Sequence, residues 1–159
     1  MKKTIFSLLA VMAMALGFVS CNDDKDEPAP SAAFQYALDQ VYPGATGVKW
    51  EKKAAWQVAE FDQNGAEYDV WFNALTVEWA MTEIDYGKNI MSVPDLPVLK
   101  AIQESEYGMW TVDDIAYYQQ TTMSFYIAEM ETAGKPDTDL YIAPDGKIIK
   151  IIPSSQTPD

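Results

Sequence analysis

Apolar residues at helical spacing mark the first element that the chain predicts. Ser31 can cap the start of this helix, and Pro43-Gly44 predicts its end. The spacing i, i+3, i+4 and i+7 places the apolar side chains on one face of a helix. The residues at these positions are Phe34, Ala37, Leu38 and Val41.

Segments rich in β-branched and aromatic residues follow the helix and predict four strands. The segments are VKWEKKAAWQVAEFD, which is long enough for two strands, and AEYDVWFN and TVEWAMTEI, with one strand each. Asn64-Gly65 supplies the positive φ that a tight hairpin demands, so neighbouring strands should pair antiparallel.

The same order of elements is predicted again in the second half of the chain. Pro94 and Pro97 open a second helix, because proline is favoured in the first helical turn. Four strands follow, with Pro144–Lys147 as the last hairpin turn. The strands read WTVDDIAYYQQ, TMSFYIAEME, TDLYIAP and KIIKIIP. The sequence therefore predicts an α+β fold in which each half, residues 31–88 and 93–152, is one helix on one face of a four-stranded antiparallel sheet.

The first 20 residues have the three-part pattern of a secretory signal. Two lysines precede an apolar run from Ile5 to Val19, and Ser20 and Cys21 follow it. The run is shorter than the ~20 residues that a membrane-spanning helix needs. The stretch FVSC resembles a lipobox, with Phe18 where leucine is usual. That resemblance implies cleavage before Cys21 and acylation of this residue, which would anchor the mature protein to a membrane.

The only cysteine of the chain is Cys21, so no internal disulfide is possible. Residues 21–30 are acidic and contain proline, which predicts a solvated tether between the lipid and the domain of residues 31–152. Residues 153–159 form a short tail. The acidic run also resembles the tag that sends some lipoproteins to the cell surface. An outer-membrane lipoprotein is predicted, and both the periplasmic and the cell-surface orientation stay open.

Net charge and missing residue types argue against several functions. The chain has 24 acidic and 11 basic residues, all of the latter lysine, and a net charge of -13. Such a field repels phosphate backbones, so nucleic acid is not expected as a partner. Triad catalysis, zinc chemistry and arginine-assisted phosphoryl transfer each lack a required side chain, because histidine and arginine are absent and the cysteine is assigned to the lipid. No metal, no cofactor and no enzymatic activity are predicted.

Paired carboxylates leave one enzymatic alternative open, a glycosidase. The candidates are Asp113, Asp114, Glu129 and Glu131. Consecutive residues of a strand point to opposite faces, so Asp113 and Asp114 are not expected to act on one bond. Acids that only solvate the sheet surface are the simpler interpretation.

Aromatic residues among acids suggest a binding surface. In AEYDVWFN, strand alternation separates Val70 from Asp69 and Trp71, and one of the two sides must face the helix. Tyrosine and tryptophan among polar groups are typical of recognition surfaces. The predicted binding face, on the outer side of the sheet, consists of Trp71, Asp69, Tyr118, Tyr126 and Tyr141. The expected ligand is a protein or peptide with basic groups, and a glycan or small ligand is the alternative. These rings could instead seal the edges of two small cores.

The order of motifs along residues 31–152 resembles the PepSY-like family of exported proteins, which are themselves described as similar to beta-lactamase inhibitor protein. The motifs are YPGATGVKW, AEYDVWFN, LPVLKAIQE, WTVDDI, SFYIAEME and LYIAPDGKII. The chain departs from the family at Asn73–Thr76, where an acid and a glycine turn are usual. The resemblance implies a tandem α+β repeat. It does not imply inhibition of any β-lactamase.

Overall fold

Two α-helices and eight strands make up the part of the chain that the structure, a computed structural model, describes: residues 30–156. The elements are α1 Ala32–Val41, β1 Lys49–Lys53, β2 Trp56–Gln63, β3 Ala66–Asn73, β4 Trp79–Asp85, α2 Leu96–Glu104, β5 Thr111–Gln120, β6 Ser124–Glu131, β7 Thr138–Ile142 and β8 Ile148–Pro153. Their order, one helix and then four strands in each half, matches the sequence prediction. The predicted signal, Cys21 and nearly all of the tether lie outside the described residues.

The strands form one antiparallel sheet of eight, in chain order from β1 to β8. This corrects the prediction of a separate four-stranded sheet in each half. The two halves are joined because β4 pairs with β5, with Met81 opposite Gln120 and Asp85 opposite Ala116. Joining them is favourable, since it pairs two strand edges that would otherwise present free backbone groups to other chains.

Two turns are built by asparagine. Asn64 and Gly65 both have positive φ, 54° and 80°, as the hairpin prediction required. At the departure from the PepSY-like pattern, the Asn73 side-chain oxygen accepts hydrogen bonds from the backbone N–H groups of Leu75 and Thr76, at 2.9 and 3.1 Å. An asparagine side chain therefore closes the hairpin between β3 and β4.

Both helices pack on the same side of the sheet, called the helix face below. From α1, Phe34 and Leu38 are buried against strands β2 and β3. From α2, Val98 and Ile102 are buried against strands β5 to β7. Residues three or four apart meet the sheet together, as the helical period requires. Within residues 30–156 no helix is long and apolar enough to cross a membrane.

The opposite side of the sheet, called the outer face below, carries two smaller groups of buried apolar residues. One group is Val58, Trp71 and Met81. The other is Ala116, Tyr118, Phe125, Ile127 and Tyr141. Neither group contains a residue of α1 or α2, so the outer face is the surface of the described domain that its own helices leave open.

Candidate functional site

Asp69 and Trp71 lie on the outer face, because Val70 between them packs under α1. Trp71 is only 3% exposed. Its neighbours across the strands are Val58 on β2 and Met81 on β4. The ring therefore contributes to a packed apolar group and does not project from the surface.

A lysine lies over the Trp71 ring. The Lys53 ammonium is 5.3 Å from the ring centroid, which is within the range of a cation–π contact. The same ammonium pairs with Glu51 at 2.9 Å and with Glu60 at 3.1 Å. Partial burial disfavours the charge of Lys53, but hydrogen bonds to the two carboxylates outweigh it and raise the pKa of Lys53. A cation is thus stable at this point of the outer face.

Three stacked rings cross strands β5, β6 and β7 on the outer face; they are called the ring ladder. It consists of Tyr118, Phe125 and Tyr141. Tyr118 and Phe125 have centroids 5.4 Å apart at 17°, and Phe125 and Tyr141 are 5.9 Å apart at 26°. The Lys150 ammonium lies 5.1 Å from the Tyr141 centroid. Tyr118 and Tyr141 are 4% and 6% exposed, so neither ring projects from the surface.

Tyr126 was assigned to the binding face from the sequence, and the structure corrects this. It lies on the helix face, is 1% exposed and belongs to the core cluster under α2. Its hydroxyl donates a hydrogen bond to the carboxylate of Asp95, at 2.8 Å, where α2 begins. Strand alternation gives the outer position to its neighbour Phe125, which the sequence analysis missed.

Carboxylates surround the rings on the outer face; the acidic band is defined here as Glu60, Asp69, Glu83, Asp85 and Asp114. Cross-strand pairing aligns Glu60, Asp69 and Glu83 on β2, β3 and β4. The Tyr118 hydroxyl donates a hydrogen bond to Glu83 at 2.8 Å. The band therefore borders the Trp71 group, and its member Glu83 also borders the ring ladder.

Two members of the acidic band hold protons unusually tightly. Burial, together with the nearby charges of Asp69, Asp85 and Asp114, raises the pKa of Glu83 to about 7, against the hydrogen bond from Tyr118. Burial, and the charge and hydrogen bond of Asp85, raise the pKa of Asp114 to about 7. Crowded carboxylates repel one another, so an approaching cation would relieve this repulsion.

The carboxylates considered for a glycosidase have different neighbours. Asp113 pairs with Lys88, whereas Asp114 interacts with Asp85, and the β5 register shifts between Val112 and Asp114. Asp114 lies opposite Glu129 on β6. Within the described residues no group of three or more acids, cysteines or histidines is placed to hold a metal ion.

The fold and the open face together define a class: α+β proteins with one antiparallel sheet, two helices on one side and an apolar, acidic surface on the other. Solved structures of several Bacteroides proteins are similar to the chain. A BLIP-like protein from Bacteroides fragilis is 32% identical, with a TM-score of 0.73, over 87% of this chain and 96% of that one. A DUF2874 family protein from Bacteroides uniformis is 30% identical, with a TM-score of 0.68, over 81% and 92%.

The chain belongs to the family of these BLIP-like and DUF2874 proteins. A Bacteroides eggerthii protein described as periplasmic is 26% identical, with a TM-score of 0.65, over 79% of this chain and 88% of that one. No protein-family model matches the chain, and no curated protein matches it. The predicted likeness to beta-lactamase-inhibitor-like proteins is confirmed at the level of the fold.

Proposed function

We propose that this protein is an exported binding module whose outer face holds a lysine- or arginine-bearing segment of a protein partner. The observation that carries the proposal is the acidic band beside packed aromatic rings, on the face that α1 and α2 do not cover. Aromatic residues bordered by polar and charged groups are the composition of a protein-binding surface. Of the residues first predicted for this face, Trp71, Asp69, Tyr118 and Tyr141 are retained, Tyr126 is withdrawn, and Glu83 and Phe125 are added.

The lysines of the outer face indicate the chemistry of the partner. Lys53 lies over Trp71 and Lys150 lies over Tyr141, each with the ammonium about 5 Å from a ring centroid. A cationic side chain of a partner would meet the same combination of ring and carboxylate beside Tyr118 and Glu83. The net charge of -13 adds long-range attraction for a basic partner, which raises the rate of encounter at low salt.

The proposal predicts that charge removal within the acidic band weakens binding. From a library of random peptides displayed on phage, the protein should enrich sequences that combine lysine or arginine with aliphatic residues. The double variant Asp69→Asn, Glu83→Gln should bind the enriched peptides about tenfold more weakly, the effect of losing about 1.4 kcal/mol. Isothermal titration at two salt concentrations measures this, and binding should also weaken at the higher concentration.

A matched control removes the same charge from the helices. Asp39 on α1 and Glu104 on α2 are exposed, so Asp39→Asn, Glu104→Gln should leave affinity within about twofold. Peptide-induced NMR shifts should map to the outer face. Enrichment without basic residues, or equal weakening by the control variant, would show that the acidic band is not the binding site.

We also infer the cellular location of the protein and its finer family assignment. The PepSY-like motif order supports a PepSY-like protein in which residues 31–88 and 93–152 are two copies of one unit. A relative that is described as periplasmic and the signal-like first 20 residues support export, with acylated Cys21 as the anchor in the outer membrane. In producing cells the full chain should sediment with membranes and carry acyl chains detectable by mass spectrometry. Cys21→Ser should release it; a variant that still sediments argues against lipid anchoring.

A further inference from the structure

Five tyrosines gather on the helix face, away from the proposed binding face; they are called the tyrosine cluster. They come from the end of α1, from β3, from the residue after β4, from β5 and from β6. The members are Tyr42, Tyr68, Tyr86, Tyr117 and Tyr126. The cluster lies between the end of α1 and the start of α2, above β4.

The sheet register explains how distant residues meet there. Tyr68 is opposite Ile84, Ile84 is opposite Tyr117, and Tyr117 is opposite Tyr126. Ile84 is buried at 8% exposure, yet it belongs to the core cluster of neither helix. The tyrosine side chains on both sides of β4 therefore cover the strip of sheet that lies between the two helices.

The cluster contains two pairs of rings in contact. The Tyr42 ring packs edge-on against Tyr68, with centroids 5.5 Å apart. Tyr117 and Tyr126 have centroids 4.6 Å apart. Tyr86 packs against the α2 core. Except for Tyr126, these tyrosines are half-buried, so parts of their side chains reach solvent.

Three hydroxyls of the cluster are available to a ligand. Tyr126 donates to Asp95, and the Tyr42 hydroxyl lies beside that of Thr82. Within residues 30–156 no hydrogen bond engages the side chains of Tyr68, Tyr86 and Tyr117. Burial raises the pKa of Tyr68, and burial with the neighbouring hydroxyls and Asp95 raises that of Tyr86 to about 12. The Tyr68 and Tyr86 phenols therefore stay neutral at physiological pH, and a tyrosine hydroxyl can both donate and accept a hydrogen bond.

The chemistry of the cluster selects a class of ligand. Aromatic faces stack on the C–H side of a sugar ring, and hydroxyls exchange hydrogen bonds with its O–H groups. Asp95 is the charged group that faces these hydroxyls in the described chain, which disfavours anions. We propose that the tyrosine cluster binds a neutral saccharide unit. This inference does not depend on the function proposed for the outer face.

A purely structural role predicts a different behaviour. If the cluster only filled the space between the helices, phenylalanine would serve at positions 68, 86 and 117, because the three hydroxyls form no internal hydrogen bond. Replacing them would then change nothing except a small gain in apolar packing. A hydroxyl that is kept in a half-buried place without an internal partner fits a site that binds polar molecules.

The test is binding of neutral oligosaccharides to the full domain. A glycan array that includes neutral and acidic sugars should give signals for neutral ones, and titration calorimetry should give their affinities. Tyr68→Phe and Tyr117→Phe keep the rings, so both variants should fold, which thermal melts check. Each should lower affinity about tenfold, the effect of one lost hydrogen bond to a bound polar group. Tyr36→Phe, at a residue of α1 that is 67% exposed, is the matched control.

Two results would overturn the inference. An array without neutral glycans among its hits removes the ligand class, and hits that Tyr68→Phe and Tyr117→Phe bind as tightly as the parent remove the site. The two proposals are separable. The acidic-band variant Asp69→Asn, Glu83→Gln should keep saccharide affinity, and the phenylalanine variants should keep peptide affinity. A saccharide lost by the acidic-band variant alone would place the sugar on the outer face and contradict the assignment to the tyrosine cluster.

Discussion

Replacing Tyr126 with alanine is expected to lower the free energy of unfolding by about 3–5 kcal/mol, the usual range for a buried aromatic residue. The side chain is 1% exposed within the core under α2. Its removal leaves a cavity between β6 and the helix, and the Asp95 carboxylate loses the hydroxyl that donates to it at 2.8 Å. Urea unfolding followed by tryptophan fluorescence measures the change.

Two controls separate the parts of this effect. Tyr126→Phe keeps the ring and removes only the donor, so a smaller loss of about 1–3 kcal/mol is expected. Tyr36→Ala, at an exposed position of α1, should change stability by less than about 0.5 kcal/mol. A loss below about 1 kcal/mol for Tyr126→Ala would contradict the core assignment. For the same reason Tyr126→Ala is unsuitable as a probe of ligand binding.

Local patterns were sufficient to predict the elements of this fold. Phe34 and Leu38, picked out by helical spacing, are the residues that α1 buries. Asn64-Gly65 forms the predicted hairpin turn, because its requirement for positive φ is a property of two residues alone. Such features depend on neighbours in sequence, so a single chain carries all the information they need.

Pairing between the halves could not be predicted in this way. β4 and β5 are separated by α2, and nothing in the periodicity of either strand specifies the other as its partner. The position of Glu83 beside Tyr118 follows only from this pairing. Glu83, whose pKa is raised to about 7, was therefore not predicted as part of the binding face. Asp69 and Tyr118, on either side of it, were both predicted.

The error at Tyr126 has a different cause. Alternation divides β6 into two sides but does not say which side faces the helix. Phe125 and Ile127 on one side are as apolar as Ala128 and Met130 on the other. A strand that is apolar on both sides is typical of a sheet covered on both faces. In SFYIAEME that signal points to a second contact surface, which is the outer face proposed here to bind a partner.

The acidic band is expected to make the domain less stable as pH rises from about 4 to about 7. The pKa of Glu83 is raised from 4.5 to about 7, and that of Asp114 from 3.8 to about 7. In this window the folded state binds protons that the unfolded state has already released, so the free energy of unfolding falls with each step in pH. The stabilisation is complete below the ordinary pKa values and is lost above about pH 7.

Glu83→Gln isolates this contribution, because the amide oxygen can still accept from the Tyr118 hydroxyl while no charge forms. At about pH 4.5 the variant and the parent should unfold at similar urea concentrations, and at about pH 8 the variant should be more stable by on the order of 2 kcal/mol after solvent screening. Glu104→Gln, on the exposed surface of α2, is the control for removing one charge and should shift both conditions little. The opposite result would be that Glu83→Gln is less stable than the parent at about pH 8. It would mean that the folded protein stabilises the Glu83 carboxylate, and it would contradict the raised pKa of this residue. The expected slope, by contrast, would mean that burial and the neighbouring carboxylates disfavour the Glu83 charge in the free domain. If a basic peptide binds at the band, it should favour that charge, so the substitution that stabilises the free domain should weaken its complex with basic peptides.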